Sequence, residues 1–205
     1  PAFTACPANI SQNADANLCN AVVNYIATTS GTPIPTITYV FTGATTSSGS
    51  GTGSGSTFNK GVTNVAISAT NSCGTAVCNF TISIADNEVP VISTCPTARN
   101  ISGCSTAAVT GPVFSASSAI SDETEFESAV NLGVADDNCG ITSVTYSDVA
   151  SGSCPISISR SWIIKDAAGN TASCTQAILV ADNTAPTAIC KNINLPLDAS
   201  GNATI

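Results

Sequence analysis

Apolar residues fall on every second position through several short stretches of this chain. Residues 36–41 set Ile37, Tyr39 and Phe41 against threonines and Val40, and residues 80–84 set Phe80, Ile82 and Ile84 against Thr81 and Ser83. A period of two marks a half-buried strand, because successive side chains of a strand point to opposite faces. The same reading makes strands of residues 21–26, 62–69, 141–146, 156–164 (the longest) and 177–180, with early strand pieces at 107–109 and 113–114. Turn chemistry separates them, at Asn71-Ser72-Cys73-Gly74, Asp136-Asp137-Asn138-Cys139-Gly140 and Asp166-Ala167-Ala168-Gly169-Asn170. No stretch sustains a helical period. Short alternating strands between frequent turns predict an all-β chain folded as a β-sandwich.

Two stretches depart from the alternation. Residues 43–56 are almost entirely Gly, Ser and Thr, and are expected to form a solvated, mobile loop that buries nothing. Residues 121–127 carry Asp122, Glu123, Glu125 and Glu127, an acidic insertion that reads as a short helical turn or a loop. The single tryptophan, Trp162, lies among Ile158, Ile163 and Ile164, which reads as a core position rather than a ligand platform.

The pattern also repeats. Asp86-Asn87-Glu88-Val89-Pro90 returns as Asp182-Asn183-Thr184-Ala185-Pro186, 96 residues later. A motif recurring at the size of a small domain marks a tandem array. Its proline cannot donate to a strand ladder and starts the next unit extended. The expected division is residues 1–88, residues 89–184, and residues 185–205 as the opening strand of a third repeat. The chain begins in mid-pattern at Pro1, as expected for a piece of a longer exported protein.

Composition narrows the chemistry. Five Lys and Arg against thirteen Asp and Glu give a formal charge of −8, so no basic patch forms and nucleic acid is not an expected partner. Ten cysteines with no histidine point to disulfides in an oxidising, extracellular compartment. Zinc-finger spacing is absent, since Cys73 and Cys78 have no histidine near them. A Ser–His or Cys–His device is excluded outright. Asp122, Glu123, Glu125 and Glu127 offer carboxylates for glycoside hydrolysis, but four acids in one loop suit solvent or a cation better, so no enzyme is expected. No apolar run is long enough to span a membrane.

Particular motifs carry a family likeness. Gly55-Ser56-Thr57-Phe58-Asn59-Lys60-Gly61-Val62-Thr63-Asn64-Val65 resembles the G-S-T-F-x-x-G-x-x-x-V signature of hyalin-type (HYR) repeats. Cys6-Pro7-Ala8-Asn9-Ile10 and Cys78-Asn79-Phe80-Thr81-Ile82 are similar to that family's opening and closing strands. Asp137-Asn138-Cys139-Gly140, Gly169-Asn170-Thr171-Ala172-Ser173-Cys174 and Ala181-Asp182-Asn183 resemble related repeats in very long surface proteins of gliding and biofilm-forming bacteria. The first unit lacks the Asp-Asn-Cys-Gly turn, and the second has Ala168 where that family often carries cysteine.

The likeness implies tandem immunoglobulin-like sandwiches arranged end to end. Their role would be a structural stalk of a secreted cell-surface adhesin or filament, serving attachment or motility. The implied partners are neighbouring repeats of the same long chain and an extracellular surface, polysaccharide or protein ligand. The alternative is a specific ligand- or carbohydrate-binding module, using residues 43–56 or 122–127, or an accessory region of an exported enzyme.

Calcium is the one expected cofactor. It takes six to eight oxygens in flexible geometry, and the candidate donors are Asp86, Asn87, Asp136, Asp137, Asn138, Asp166, Asp182 and Asn183. The first and last pairs lie at unit junctions, and the 136–138 turn can approach the 166–170 turn. The competing reading is that Asp and Asn are ordinary turn residues bonding their own backbone.

In immunoglobulin-like sandwiches the first and last strands can run parallel at one edge, which pairs Cys6 with Cys78 and, by the repeat, Cys95 with Cys174. Cys139 and Cys154 bracket a strand and its turn and are paired locally. Cys19–Cys73 is then the remaining pair inside one unit. Cys104 stays single unless it takes Cys154 and frees Cys139, and Cys190 awaits a partner in the third unit.

Overall fold

A computed structural model describes residues 1–196 and 198–202. The first half of the chain forms β1 (Ala2–Ala5), β2 (Ile10–Asn13), β3 (Asn20–Val23), β4 (Thr28–Ser30), β5 (Thr36–Gly43), β6 (Ser47–Ser50), β7 (Ser56–Asn59), β8 (Gly61–Asn71) and β9 (Gly74–Ala85). One sheet has the order β2-β9-β8-β5-β6, and the pairs β1–β4 and β3–β7 make up the remaining strands. The alternation seen in the sequence decides what faces inward. Val65, Ile67 and Ala69 of β8 and Cys78, Phe80, Ile82 and Ile84 of β9 are buried, while their intervening neighbours are half-buried or exposed. Ala21 and Val23 of β3 and Phe58 of β7 pack onto this row with Phe41, closing the core from the other side.

The second half repeats the plan with β10 (Val91–Thr94), β11 (Arg99–Ser102), β12 (Ala119–Ser121), a helical turn α1 (Glu123–Phe126), β13 (Val134–Asp136), β14 (Ile141–Gly152), β15 (Ile156–Asp166) and β16 (Thr171–Ala181). Its main sheet runs β11-β16-β15-β14-β12, with β10–β13 as a separate pair. In both halves the short second strand runs parallel to the last one: β2 beside β9, and β11 beside β16. All other pairings among the described residues are antiparallel. Each half is thus an immunoglobulin-like sandwich, and the chain is an all-β tandem.

Several local expectations need correction. Residues 43–56 are not a loose loop, because β6 pairs with β5 from Thr38–Ser50 to Phe41–Ser47. The segment after β6 is also held down: Tyr25 Oη donates to the Thr52 carbonyl at 2.7 Å, and Ser54 exchanges hydrogen bonds with the Tyr25 backbone. Gly53, at φ 78°, lies so close to the core that a Cβ there would sit 2.5 Å from Phe41 Cζ. Residues 107–109 form no strand either; Thr106–Ala108 is a 3-10 turn capped by Ser105, and it drops Val109 into the core. Residues 113–114 are also outside any strand, since the Val113 carbonyl serves side chains instead of a ladder, accepting from Tyr146 Oη and Arg160 Nη2. Strands β9 and β14, of 12 residues each, exceed β15 at 11.

The acidic insertion folds as the helical turn, not as a ligand-facing loop. Asp122 caps α1 by accepting from the Glu125 amide, Glu125 accepts from Ser121 Oγ, and Glu127 accepts from the Ala135 amide. Its purpose in the fold is Phe126, fully buried edge-on to Trp162. The described residues beyond 184 hold no strand. The opening strands β1 and β10 each pair with a later strand of their own sandwich, β4 and β13.

Candidate functional site

The two sandwiches meet through loops. The first contributes residues 14–19 and the end of β9, and the second contributes the turns after β13 and β15. Asp86 follows β9 directly, so the strand's register delivers its carboxylate to the junction, where the side chain is wholly buried. Asp137 and Asn138 follow β13 in the turn that leads to β14. Asp166 is the last inward-facing residue of β15 and is 1% exposed. One carboxylate oxygen from each of Asp86, Asp137 and Asp166 lies within 4.8 Å of those of the other two. Like charges at that spacing repel by roughly 3 kcal/mol per pair at an effective dielectric of about 20.

Each carboxylate is held by the backbone around it. Asp86 Oδ1 accepts from the Glu88 amide, and Oδ2 faces Lys60 Nζ at 3.3 Å. Asp137 Oδ1 accepts from the Cys139 amide at 2.9 Å. Asp166 accepts from the amides of Gly169 and Asn170 and from Asn170 Nδ2. Burial alone would raise the Asp166 pKa, but the Asn170 side chain and the backbone amides of the turn outweigh it and hold the carboxyl below its ordinary value. The Asp137 Oδ2 and Asn138 Oδ1 atoms are closed off from solvent, yet among the described residues no donor reaches either. A cleft of about 610 Å³ opens beside them, lined by Asn17, Asn87, Glu88, Asp136, Asp137 and Asn138 among others.

Of the calcium candidates named from sequence, the fold therefore brings Asp86, Asp137 and Asp166 together with Asn138 adjoining them. Asn87 and Asp136 line the cleft; Asp136 Oδ1 already accepts from the Asp137 amide. Asp182 and Asn183 are exposed in the tail, where Asp182 closes its own turn onto the Thr184 amide. Sequence reasoning missed Glu88, whose carboxylate receives the Asn17 amide on both oxygens, and Lys60, the one cation paired with the cluster among the described residues. Glu88 follows the recurring Asp86-Asn87 pair, but the repeat has Thr184 in its place, so recurrence did not mark it; nothing near Lys60 in sequence announced its position either.

Disulfides complete the junction. Cys6 pairs with Cys78 and Cys95 with Cys174, with Cα atoms 5.8 and 5.9 Å apart. Each joins the segment leading into the parallel edge strand to the last strand. The local Cys139–Cys154 pair and the Cys19–Cys73 pair expected from sequence do not form. Cys139 instead bridges to Cys19 across 120 residues, Cα to Cα 4.9 Å, and Cys154 closes on Cys104. The reason is topological: β14 carries the chain from Cys139 at the junction away to Cys154 at the far end of the sheet, so the two cannot meet. Cys73 and Cys190 are free and exposed. The Cys19–Cys139 bridge is reinforced by Asn138 Nδ2 donating to the Leu18 carbonyl at 2.9 Å and by Asn170 Nδ2 reaching the Asp86 carbonyl. The two sandwiches are therefore covalently strapped, not joined by the linker alone.

No family model matches the chain, and no curated protein matches it. Among solved structures, the titin domains Z1Z2 in complex with telethonin align over 89% of this chain and 96% of that one, at 12% identity and a TM-score of 0.40. The N-terminal Ig1-2 module of the Drosophila receptor protein tyrosine phosphatase DLAR aligns over 87% and 97%, at 12% identity and a TM-score of 0.28. The N-terminal four Ig domains of Dscam1 isoform 7.44 align over 88% of this chain and 46% of that one, at 14% identity and a TM-score of 0.36.

Proposed function

We propose that this chain is a load-bearing stalk segment of a long secreted cell-surface adhesin or filament, of the kind that serves bacterial attachment or gliding, and that it is not an enzyme. The observation that carries this reading is the order of the bridges along the chain. Cys6–Cys78 spans 72 residues of the first sandwich and Cys95–Cys174 spans 79 of the second. A pull on the two ends follows residues 1–6, crosses to 78, runs through the linker to 95, crosses to 174 and leaves by the tail. The bridges bypass residues 7–77 and 96–173, and load enters each core only along the last part of β9 and of β16. Tension can then extract little chain, because each bridge locks more than 70 residues out of the extensible route. Cys19–Cys139 adds a second tie beside the linker. Four disulfides suit an oxidising extracellular setting. Residues 43–56 and 122–127, the stretches a binding module would use, both contribute to their own sandwiches through β6 and through Phe126.

The test is adhesion under flow with the parent protein displayed on its cell. Replacing Cys6 and Cys78 by Ala is expected to leave attachment at rest unchanged and to cause detachment under shear. Equal loss of attachment at rest and under shear would mean a binding module, and unchanged shear resistance would rule out the mechanical reading.

A further inference from the structure

We propose that Asp86, Asp137 and Asp166, with the side-chain oxygen of Asn138, form a calcium site at the junction of the two sandwiches. Charge is the first argument. Three clustered carboxylates face one positive charge, Lys60, and Glu88 and Asp136 line the adjoining cleft, so the junction holds an excess of negative charge that a divalent cation offsets. Two of the three carboxylates belong to buried residues, and buried charge is stable only when it is compensated.

Unmet hydrogen-bond capacity is the second and independent argument. Buried polar atoms without a partner are rare in folded proteins. Asp137 Oδ2 and Asn138 Oδ1 are two such atoms on adjacent residues, and both are acceptors. Asn138 cannot turn its amide to find a donor without giving up the bond from Nδ2 to the Leu18 carbonyl. A cation satisfies oxygens that no N–H reaches.

The donor set selects the ion. Every candidate ligand is oxygen and there is no histidine in the chain, which disfavours zinc and the later transition metals. The donors come from three separate segments, and the adjoining cleft leaves room for water to complete six to eight ligands, the irregular coordination that calcium accepts and magnesium does not. The arrangement is set in advance by the amides of Glu88, Cys139, Gly169 and Asn170 and by the Cys19–Cys139 bridge, which pins the 137–140 turn. The site requires neither adhesion nor load, so it stands apart from the mechanical role.

Calorimetric titration of the oxidised, chelator-treated chain with calcium chloride tests the site. One ion per chain is expected, with dissociation at or below the millimolar range of extracellular calcium modules, and a higher melting temperature in calcium than in chelator. D137N and D86N are each expected to weaken binding about tenfold or more. D182N, which removes the same charge from the exposed tail, is expected to bind as the unaltered chain does. No saturable binding at millimolar calcium, equal binding by D137N and D86N, or equal weakening by D182N would each overturn the proposal. Shear resistance through the disulfides is a separate readout, so either idea can fail without the other.

Discussion

Arg160 of β15 lies directly opposite Asp148 of β14, and the two side chains form an ion pair wholly buried in the second sandwich. Arg160 Nε donates to Asp148 Oδ1 at 2.7 Å and Nη2 to Oδ2 at 2.8 Å. The guanidinium stands 4.5 Å from the Tyr146 ring centroid and 5.7 Å from that of Trp162. This pair divides the core. Trp162, Ile164, Val144 and Phe126 gather on one side, and Ile158, Ile156, Ile178 and Val180 on the other.

Breaking one half of the pair leaves a buried charge alone. D148L or R160M by itself is therefore expected to cost about 3–5 kcal/mol, whereas the two changes made together are expected to cost less than either alone. Urea unfolding of the two single variants and the double variant measures this. A double change as harmful as the sum of the two singles would mean that the groups act independently, against the paired geometry.

Gly53 carries a second prediction. Its φ of 78° already disfavours any side chain, and a Cβ would press on Phe41 and Tyr39. Gly51, at φ 86°, shares the backbone problem but faces open space. G51A is expected to lose about 1 kcal/mol to backbone strain alone. G53A should lose that and roughly 1–3 kcal/mol more from overpacking. Thermal melts of the two variants compare them. Equal losses would return residues 43–56 to the empty loop that their composition suggests.

How legible the chain is depends on the range of the interactions. The strands β5, β8, β9, β15 and β16 are visible in sequence because alternation is local and each buried row follows from it. The parallel edge strands follow from Cys6 and Cys78 by likeness to a known fold. Residues 43–56 mislead because their contribution comes through backbone and hydroxyl groups, such as the Thr52 carbonyl under Tyr25, which hydrophobic pattern does not register. Arg160 looks like a surface residue within an apolar strand; its partner Asp148 is 12 residues away and only register puts them together. At the junction the residue types are readable, and Asp86, Asp137, Asn138 and Asp166 are all among the candidates. Which of eight donors converge is not readable, because that depends on how two sandwiches abut. The same gap hides Cys19–Cys139: a bridge between units cannot be inferred while each unit is treated alone.

Trp162 offers the plainest measure of the second core. It is fully buried, stacks edge-on with Phe126, and donates from Nε1 to Gln176 Oε1 at 3.2 Å. Gln176 in turn donates to the Thr97 carbonyl and Asn131 Oδ1. W162A is expected to cost about 3–5 kcal/mol. W162F, which keeps most of the volume but strands the Gln176 oxygen, is expected to fall between W162A and the unaltered chain in a denaturant melt. A W162F variant of full stability would mean that the Trp162–Gln176 bond contributes nothing.

Tyr25 is expected to limit the first sandwich at alkaline pH. Its ring packs edge-on to Phe80 with centroids 5.0 Å apart, and its hydroxyl donates to the Thr52 carbonyl. Burial, with a smaller contribution from the negative charge that Tyr39 takes on, pushes its pKa up to about 12. A phenol in the unfolded chain ionises near pH ~10. Below that value both states hold the proton and the full contribution of Tyr25 to stability is present. Between about pH 10 and 12 the unfolded state releases a proton that the folded state keeps, so stability falls as pH rises. Rapid-mixing absorbance titration of the phenolate is expected to show Tyr25 ionising in the late part of the curve. Y25F should remove that late component and flatten the loss of stability above about pH 10. A Y25F chain with the same alkaline slope would place the limiting group elsewhere.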